Sequence, residues 1–246
     1  MYFWDFENPA SYNNRMGRFK TRRERDFIHR YAGASPNVAP DVGGGSGRFA
    51  IQLHDQGHHL TVLDMNETAI RLLNGRRPDI VTRTERFDTA EFDACQKYDL
   101  ILAIEVLLYV EDWVGFFEKV HSLLADDGVF VFSATNRWSW RTLLQRAKTR
   151  ITGAQDYGFT IEGTRRYRKI VAQSHFRVDD IDGFLWCPFG LDSDNPLVGA
   201  CAAAERLLRL NRFIAQSPWL MYAVTKAPLP ATSPVNTAKS ALQPNS

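Results

Sequence analysis

Between residues 35 and 135, short apolar runs alternate with amphipathic stretches, which predicts strands and helices in βαβα order around a parallel sheet. Val38 to Val42 reads as the first strand and runs into a cluster of glycines. Arg48 to Gln56 reads as a helix, with Gly57 as its stop. His59 to Leu63 is a second strand ending at Asp64, and Glu67 to Asn74 is a helix capped by Asn66 and closed by Gly75. A weaker third strand covers Ile80 to Arg86. The run from Tyr98 to Ile104 is almost wholly apolar, the pattern of a strand buried on both faces. Trp113 to Leu124 places Trp113, Phe116, Phe117, Val120, Leu123 and Leu124 on one helical stripe. Asp126-Asp127-Gly128 then reads as a turn before a fifth strand, Val129 to Ser133.

After Thr135 the rhythm breaks. Trp138 to Ile151 is helical in pattern and studded with Arg, and a glycine-containing loop follows it. Tyr167 to Ser174 predicts another helix, Phe176 to Phe184 a sixth strand, Gly199 to Phe213 a helix and Trp219 to Thr225 a seventh strand. The chain thus divides into an N-terminal helical flap (1–34), a main domain (35–226) carrying a basic helical lid (136–170), and a tail (227–246) whose Pro, Ser, Thr, Ala and Asn predict disorder.

Composition adds little until charge is divided along the chain. The 246 residues carry a net charge of +2, with 44% hydrophobic and 24% charged residues, as in globular domains. Residues 1–34 have seven Lys and Arg against four Asp and Glu; residues 35–135 have eight against sixteen; residues 136–170 have nine against two. The acidic block is the expected cofactor domain and the basic block a separate feature. Cys95, Cys187 and Cys201 share no metal-like spacing, and fit a reduced, cytoplasmic setting. The first residues are aromatic and acidic, unlike a signal peptide, and the apolar stretch from Leu100 to Val110, broken by Glu105, is too short to span a bilayer.

The chemistry concentrates at Asp41-Val42-Gly43-Gly44-Gly45-Ser46-Gly47, where Gly43, Gly45 and Gly47 alternate between a strand and a helix. Glycine allows positive φ and lets a ligand approach the backbone without a Cβ in the way. Asp41, at the strand end, can balance the ammonium of an amino-acid-like ligand such as the methionyl half of S-adenosyl-L-methionine. A rival exists, since Gly45 to Ala50 also satisfies the dinucleotide fingerprint G-x-G-x-x-G/A. A carboxylate beside a pyrophosphate is repelled, whereas beside a sulfonium amino acid it is attracted, so charge favours the methyl donor. Asp64 can take both ribose hydroxyls of either cofactor, with Met65 next to it as a further contact. Asp88, after the third strand, is a candidate for the adenine amino group.

Residues 38–135 resemble the class I S-adenosylmethionine-dependent methyltransferases, especially the small-molecule group with an E-V-L-E-H-V-like segment, here Glu105-Val106-Leu107-Leu108-Tyr109-Val110. The resemblance implies a Rossmann-like α/β fold of seven strands in the order 3-2-1-4-5-7-6. The sheet is mostly parallel, with helices on both faces, an antiparallel last strand and a helical insertion after the fifth. It also implies that Ile104 lines the cofactor pocket. Tyr109 stands where His is usual, and with a reference pKa near ~10 it is a weak base at neutral pH; it remains the candidate for orienting the acceptor. Ser133-Ala134-Thr135-Asn136-Arg137 resembles the T-x-N-R segment of ubiquinone-pathway O-methyltransferases, where a helical insertion covers the substrate.

In that insertion Arg137, Arg141, Arg146, Lys148 and Arg150 interleave with Trp138, Trp140, Leu143 and Leu144. Such a stretch can lie as a solvated face, meet an anionic or membrane-carried substrate, or, least expected, bind nucleic acid. In the N-terminal segment Arg23 is the candidate partner of the methionyl carboxylate. His54, His58 and His59 do not share an element and are not expected to bind metal. The expected activity is methyl transfer to a small-molecule acceptor, most readily to oxygen; an NAD(P)-dependent oxidoreductase, or N- or C-methylation on the same fold, is the alternative.

Overall fold

Apolar side chains from the inner strands, and from one stripe of most of the helices, build two cores on either side of one sheet. The computed structural model describes residues 5–33, 38–153 and 161–228. Its strands are β1 (Val38–Val42), β2 (His59–Asp64), β3 (Val81–Thr84), β4 (Tyr98–Ala103), β5 (Leu124–Thr135), β6 (Phe176–Phe184) and β7 (Trp219–Lys226). They form a single seven-stranded sheet in the order β3-β2-β1-β4-β5-β7-β6. The strands from β1 to β5 pair in parallel, and β7 is antiparallel to both its neighbours. This is the architecture and strand order that the resemblance implied.

The helices are α1 (Arg15–Ala32), α2 (Ala50–His54), α3 (Glu67–Arg76), α4 (Trp113–Leu123), α5 (Trp140–Thr152), α6 (Thr164–Gln173) and α7 (Val198–Leu207). Leu100 and Leu102 of β4 pack with Phe27 and Ile28 of α1, Leu53 of α2, Leu73 of α3 and Val198 of α7. Ile101 and Ala103 point the other way, into a core with Phe116, Phe117 and Val120 of α4 and Tyr167 and Ile170 of α6. That second core is largely aromatic: Phe132 stacks on Tyr222 at 4.8 Å, and Phe117 meets Phe130 and Phe132 edge-on.

Several element boundaries differ from expectation, for local reasons. The expected helix from Arg48 begins only at Ala50, because Gly47 takes φ 91° and turns remain up to Phe49. The expected Asp126-Gly128 turn is a bulge inside β5: Tyr98 pairs with Leu124 and Leu100 with Val129, so a two-residue step on β4 spans five residues on β5. The expected long helix to Phe213 stops at Leu207, since Arg209 takes a left-handed conformation (φ 51°) ahead of a 3-10 turn at Leu210–Arg212. Helix α5 starts two residues late, capped by the Ser139 side chain, and buries none of its own side chains. Trp4 and the expected disordered tail from residue 229 on lie outside the described residues.

Candidate active site at the carboxyl edge of the sheet

The loop after β1 is shaped by glycine where a side chain has no room. Gly43, Gly45 and Gly47 have φ of 67°, 56° and 91°. A Cβ on Gly43 would lie 2.4 Å from Val106 Cγ2, and one on Gly44 would lie 2.7 Å from Asp41 Oδ2. The loop therefore presents bare backbone around the Asp41 carboxylate. Asp64 at the end of β2 closes the other side: its Oδ2 accepts the Gly45 N–H at 2.9 Å and its Oδ1 accepts the Asn66 N–H at 2.8 Å. Each carboxylate oxygen keeps a further lone pair.

Asp41 is 1% exposed, and its Oδ2 receives no hydrogen bond from the described residues. Burial, opposed by Arg48 and reinforced by the nearby Asp64, pushes its pKa up to about 7. A buried acceptor without a donor is an unusual arrangement.

Beside this loop sits a buried cluster of charges that the sequence pattern did not disclose. Glu105 follows β4 in a left-handed conformation (φ 66°), held by its N–H donating to Ser133 Oγ at 2.7 Å. Its carboxylate takes Lys20 Nζ at 2.6 Å, Arg48 at 2.6 Å and the Tyr12 hydroxyl at 2.9 Å. Arg48 also donates to Glu24 at 3.0 Å, and the Lys20 ammonium lies 3.8 Å from the centroid of Trp219. Burial alone would raise Glu105, but Lys20 and Arg48 outweigh it and hold the carboxyl down at about 2. Two cations and two anions thus balance within the core, tying α1 to the glycine loop. The only local signal was that Lys20 and Glu24 lie four residues apart on one helix face; nothing in the spacing pairs either with Glu105. The chain ahead of α1 also crosses the loop, with the Phe6 N–H donating to Ser46 Oγ at 3.2 Å.

The remaining candidates separate. Ile104 is buried beside Glu105, and Met65 is largely exposed next to Asp64. Tyr109 follows in a 3-10 turn with its ring 62% exposed; burial of the phenol, then the charges of Glu105 and Asp64, raise its pKa. Asp88, after β3, forms an exposed pair with Arg86 through Nε and Nη2. Arg23 is corrected outright: it donates to Asp182 at 3.0 Å and lies over the Phe184 ring, so it is spent in joining α1 to β6.

A methyltransferase-domain family model matches residues 16–174, well over half of the chain. The chain belongs to this methyltransferase family. The methyltransferase is 24% identical over 208 residues to the ubiquinone biosynthesis O-methyltransferase of Methylobacterium nodulans, covering 76% of this chain and 82% of that one. A solved S-adenosylmethionine-dependent methyltransferase from Mesorhizobium loti aligns with TM-score 0.61 and 19% identity over 84% of this chain and 99% of that one. The 1,6-didemethyltoxoflavin-N1-methyltransferase of Burkholderia thailandensis, solved with S-adenosylhomocysteine, aligns with TM-score 0.56 and 16% identity over 85% and 78%. At such identities these structures establish the fold. Family membership makes the chain an S-adenosylmethionine-dependent methyltransferase, and it decides against the dinucleotide that Gly45 to Ala50 also admitted.

The site of this methyltransferase fits its donor on chemical grounds. The unpaired Asp41 Oδ2 suits an ammonium, the spare lone pairs of Asp64 suit vicinal hydroxyls, and the glycines leave the backbone open between them.

Proposed function

We propose that the methyltransferase moves the methyl group of S-adenosylmethionine to a hydroxyl oxygen of a small-molecule acceptor. The observation that carries the donor half is the buried, unpaired oxygen of Asp41 facing a backbone-only loop. In this reading Asp41 holds the ammonium, Gly43, Gly45 and Gly47 admit the methionyl part, Asp64 and Met65 contact the ribose, and Ile104 lines the pocket. Asp88, in an exposed pair with Arg86, contacts the adenine amino group. S-adenosylmethionine supplies an electrophilic methyl on a leaving group that becomes neutral. The protein's share is alignment of acceptor with donor, an effect of proximity and orientation.

Oxygen as the acceptor atom is supported by the similarity to an O-methyltransferase. A general base would contribute roughly 10²–10⁴ to such a reaction. Tyr109 does not suit that role, because its phenol is shifted further from neutrality. Its exposed position, within electrostatic reach of Glu105 and Asp64, suits it to orient the acceptor instead. The acceptor hydroxyl must then ionise largely on its own, which points to a phenol, whose pKa lies near ~10 by comparison with tyrosine. The basic insertion, in our reading, faces an anionic lipid surface.

Calorimetric titration with S-adenosylhomocysteine tests the donor site. The wild type should bind it and ignore NAD(P), and Asp41→Ala should weaken binding at least tenfold; unchanged affinity in that variant would sink the assignment.

A further inference from the structure

We propose that the groove between α5, the segment after β6 and the 3-10 turn after α7 binds the body of the acceptor, and that this body is a planar apolar ring system. The proposal rests on the methyl-transfer reading above and names the substrate class it implies.

The groove is open to solvent and holds about 580 Å3, within the span of roughly 300–1,000 Å3 typical of small-molecule sites, with Trp138 and Phe213 more than half exposed. Trp138, Trp140 and Leu143 form one wall, Trp186 a second, Leu210 and Phe213 a third, and Gln216 adds the one amide. Ring faces therefore dominate, and ring faces attract other rings. A sugar or amino acid would also stack on an indole, but the lining offers its remaining hydroxyl or charged groups only indole N–H donors and one amide, with no charged side chain.

The walls come from distant parts of the chain and are clasped together. Asn136 is fully buried, and its Nδ2 donates to the carbonyls of Ala215 at 2.8 Å and Ser217 at 3.1 Å while its Oδ1 accepts the Trp138 N–H at 3.0 Å. Arg141 donates to the carbonyls of Cys187, at 2.9 Å, and Phe189. One clasp joins the start of the insertion to the turn before β7, and the other joins α5 to the segment after β6. These contacts fix the walls of the open groove relative to one another.

Its place in the sheet agrees. Strands β1, β4, β5 and β6 all point their carboxyl ends to one edge, and β7 starts there. Open α/β sheets bind ligands outside those ends. The groove meets that edge after β5 and β6, and on it lie Asp41 at the end of β1 and Glu105 just after β4. Three residues beyond Gln216, Trp219 carries the Lys20 ammonium that pairs with Glu105. The chain thus leads from the rim of the groove directly into β7, whose first residue touches the charge cluster beside the donor loop.

The test uses 1-naphthol and methyl glucoside as probes, titrated calorimetrically into the full chain with S-adenosylhomocysteine present, after that ligand has been titrated alone. We expect 1-naphthol to bind and methyl glucoside not to. Trp138→Ala and Phe213→Ala should each weaken 1-naphthol at least tenfold, with S-adenosylhomocysteine affinity unchanged. Leu207→Ala, at an exposed apolar side chain outside the groove, should leave both affinities as they are. Failure of 1-naphthol to bind, equal binding in the groove variants, or a preference for the glucoside overturns the proposal while leaving the donor site standing. Failure of S-adenosylhomocysteine itself strikes the donor reading instead.

Discussion

At the scale of single residues, the donor loop couples ligand affinity to protonation through Asp41. Its carboxyl has a pKa of about 7 in the fold against 3.8 for an unperturbed aspartate, so the folded chain holds that proton more tightly than the unfolded one. Stability from this group is therefore greatest below pH 4 and falls as pH rises toward 7, by up to about 4 kcal/mol. Asp41→Asn keeps the shape against Gly44 and removes the titration. Denaturant unfolding without ligand should show the variant about 1–3 kcal/mol more stable than wild type at pH 8, with the gap closing at pH 5. A variant less stable than wild type at pH 8 would mean that Asp41 is ionised and satisfied without the donor. Asp41, the glycines and Asp64 were legible in the sequence because a strand end, positive φ and a second strand end fix their relation locally. Arg48, Lys20 and Tyr12 were not, because their common partner, Glu105, lies at least 57 residues from each and only the sheet brings it to them; Glu24 joins the cluster through Arg48, 24 residues away. The Arg23 expectation failed for the same reason: Asp182, its partner, is 159 residues away.

At the scale of elements, the contrast between α4 and α5 shows what hydrophobic pattern can and cannot decide. Helix α4 buries Trp113, Phe116, Phe117, Val120 and Leu123, the stripe its sequence announces, and it is fixed by packing. Helix α5 has an equally clear amphipathic pattern yet buries none of its residues. It is held at its start by the Ser139 cap and through Arg141, and Trp138 and Leu143 stay exposed. A helix of 13 residues without a packed face is marginal in water. Amide hydrogen exchange should therefore run at least tenfold faster across α5 than across α4, and Ser139→Ala should speed α5 further by removing a cap worth about 1 kcal/mol. Equal protection of the two helices would show that α5 is packed in solution, on a ligand or on a second chain. Strand order was legible through the family resemblance, since the βαβ pattern by itself predicts a parallel sheet and leaves the order of its strands open. The bulge at Ala125–Gly128 was not, because a turn and a bulge draw on the same residues.

At the scale of the whole molecule, a net charge of +2 conceals strong polarity, with sixteen acidic residues in 35–135 and nine basic ones in 136–170. The basic stretch also carries large apolar side chains that lie open: Trp138 at 61%, Leu144 at 63% and Ile151 at 86%. No helix among the described residues is long and apolar enough to cross a membrane, so any lipid contact through these helices is peripheral. Basic side chains near an anionic lipid surface contribute roughly 1 kcal/mol each, and that attraction is screened within a Debye length. The chain should therefore sediment with vesicles containing phosphatidylglycerol, much less with pure phosphatidylcholine, and should be released by 0.5 M salt, roughly a 4 Å screening length. Arg146, Lys148 and Arg150 are exposed on α5 and have no place in the donor site. Reversing all three to Glu should lower binding to phosphatidylglycerol vesicles at least tenfold while S-adenosylhomocysteine affinity stays the same. Binding that is insensitive to both lipid charge and the triple reversal would assign the exposed apolar side chains to a protein partner, and would leave the basic insertion as a solvated wall of the groove.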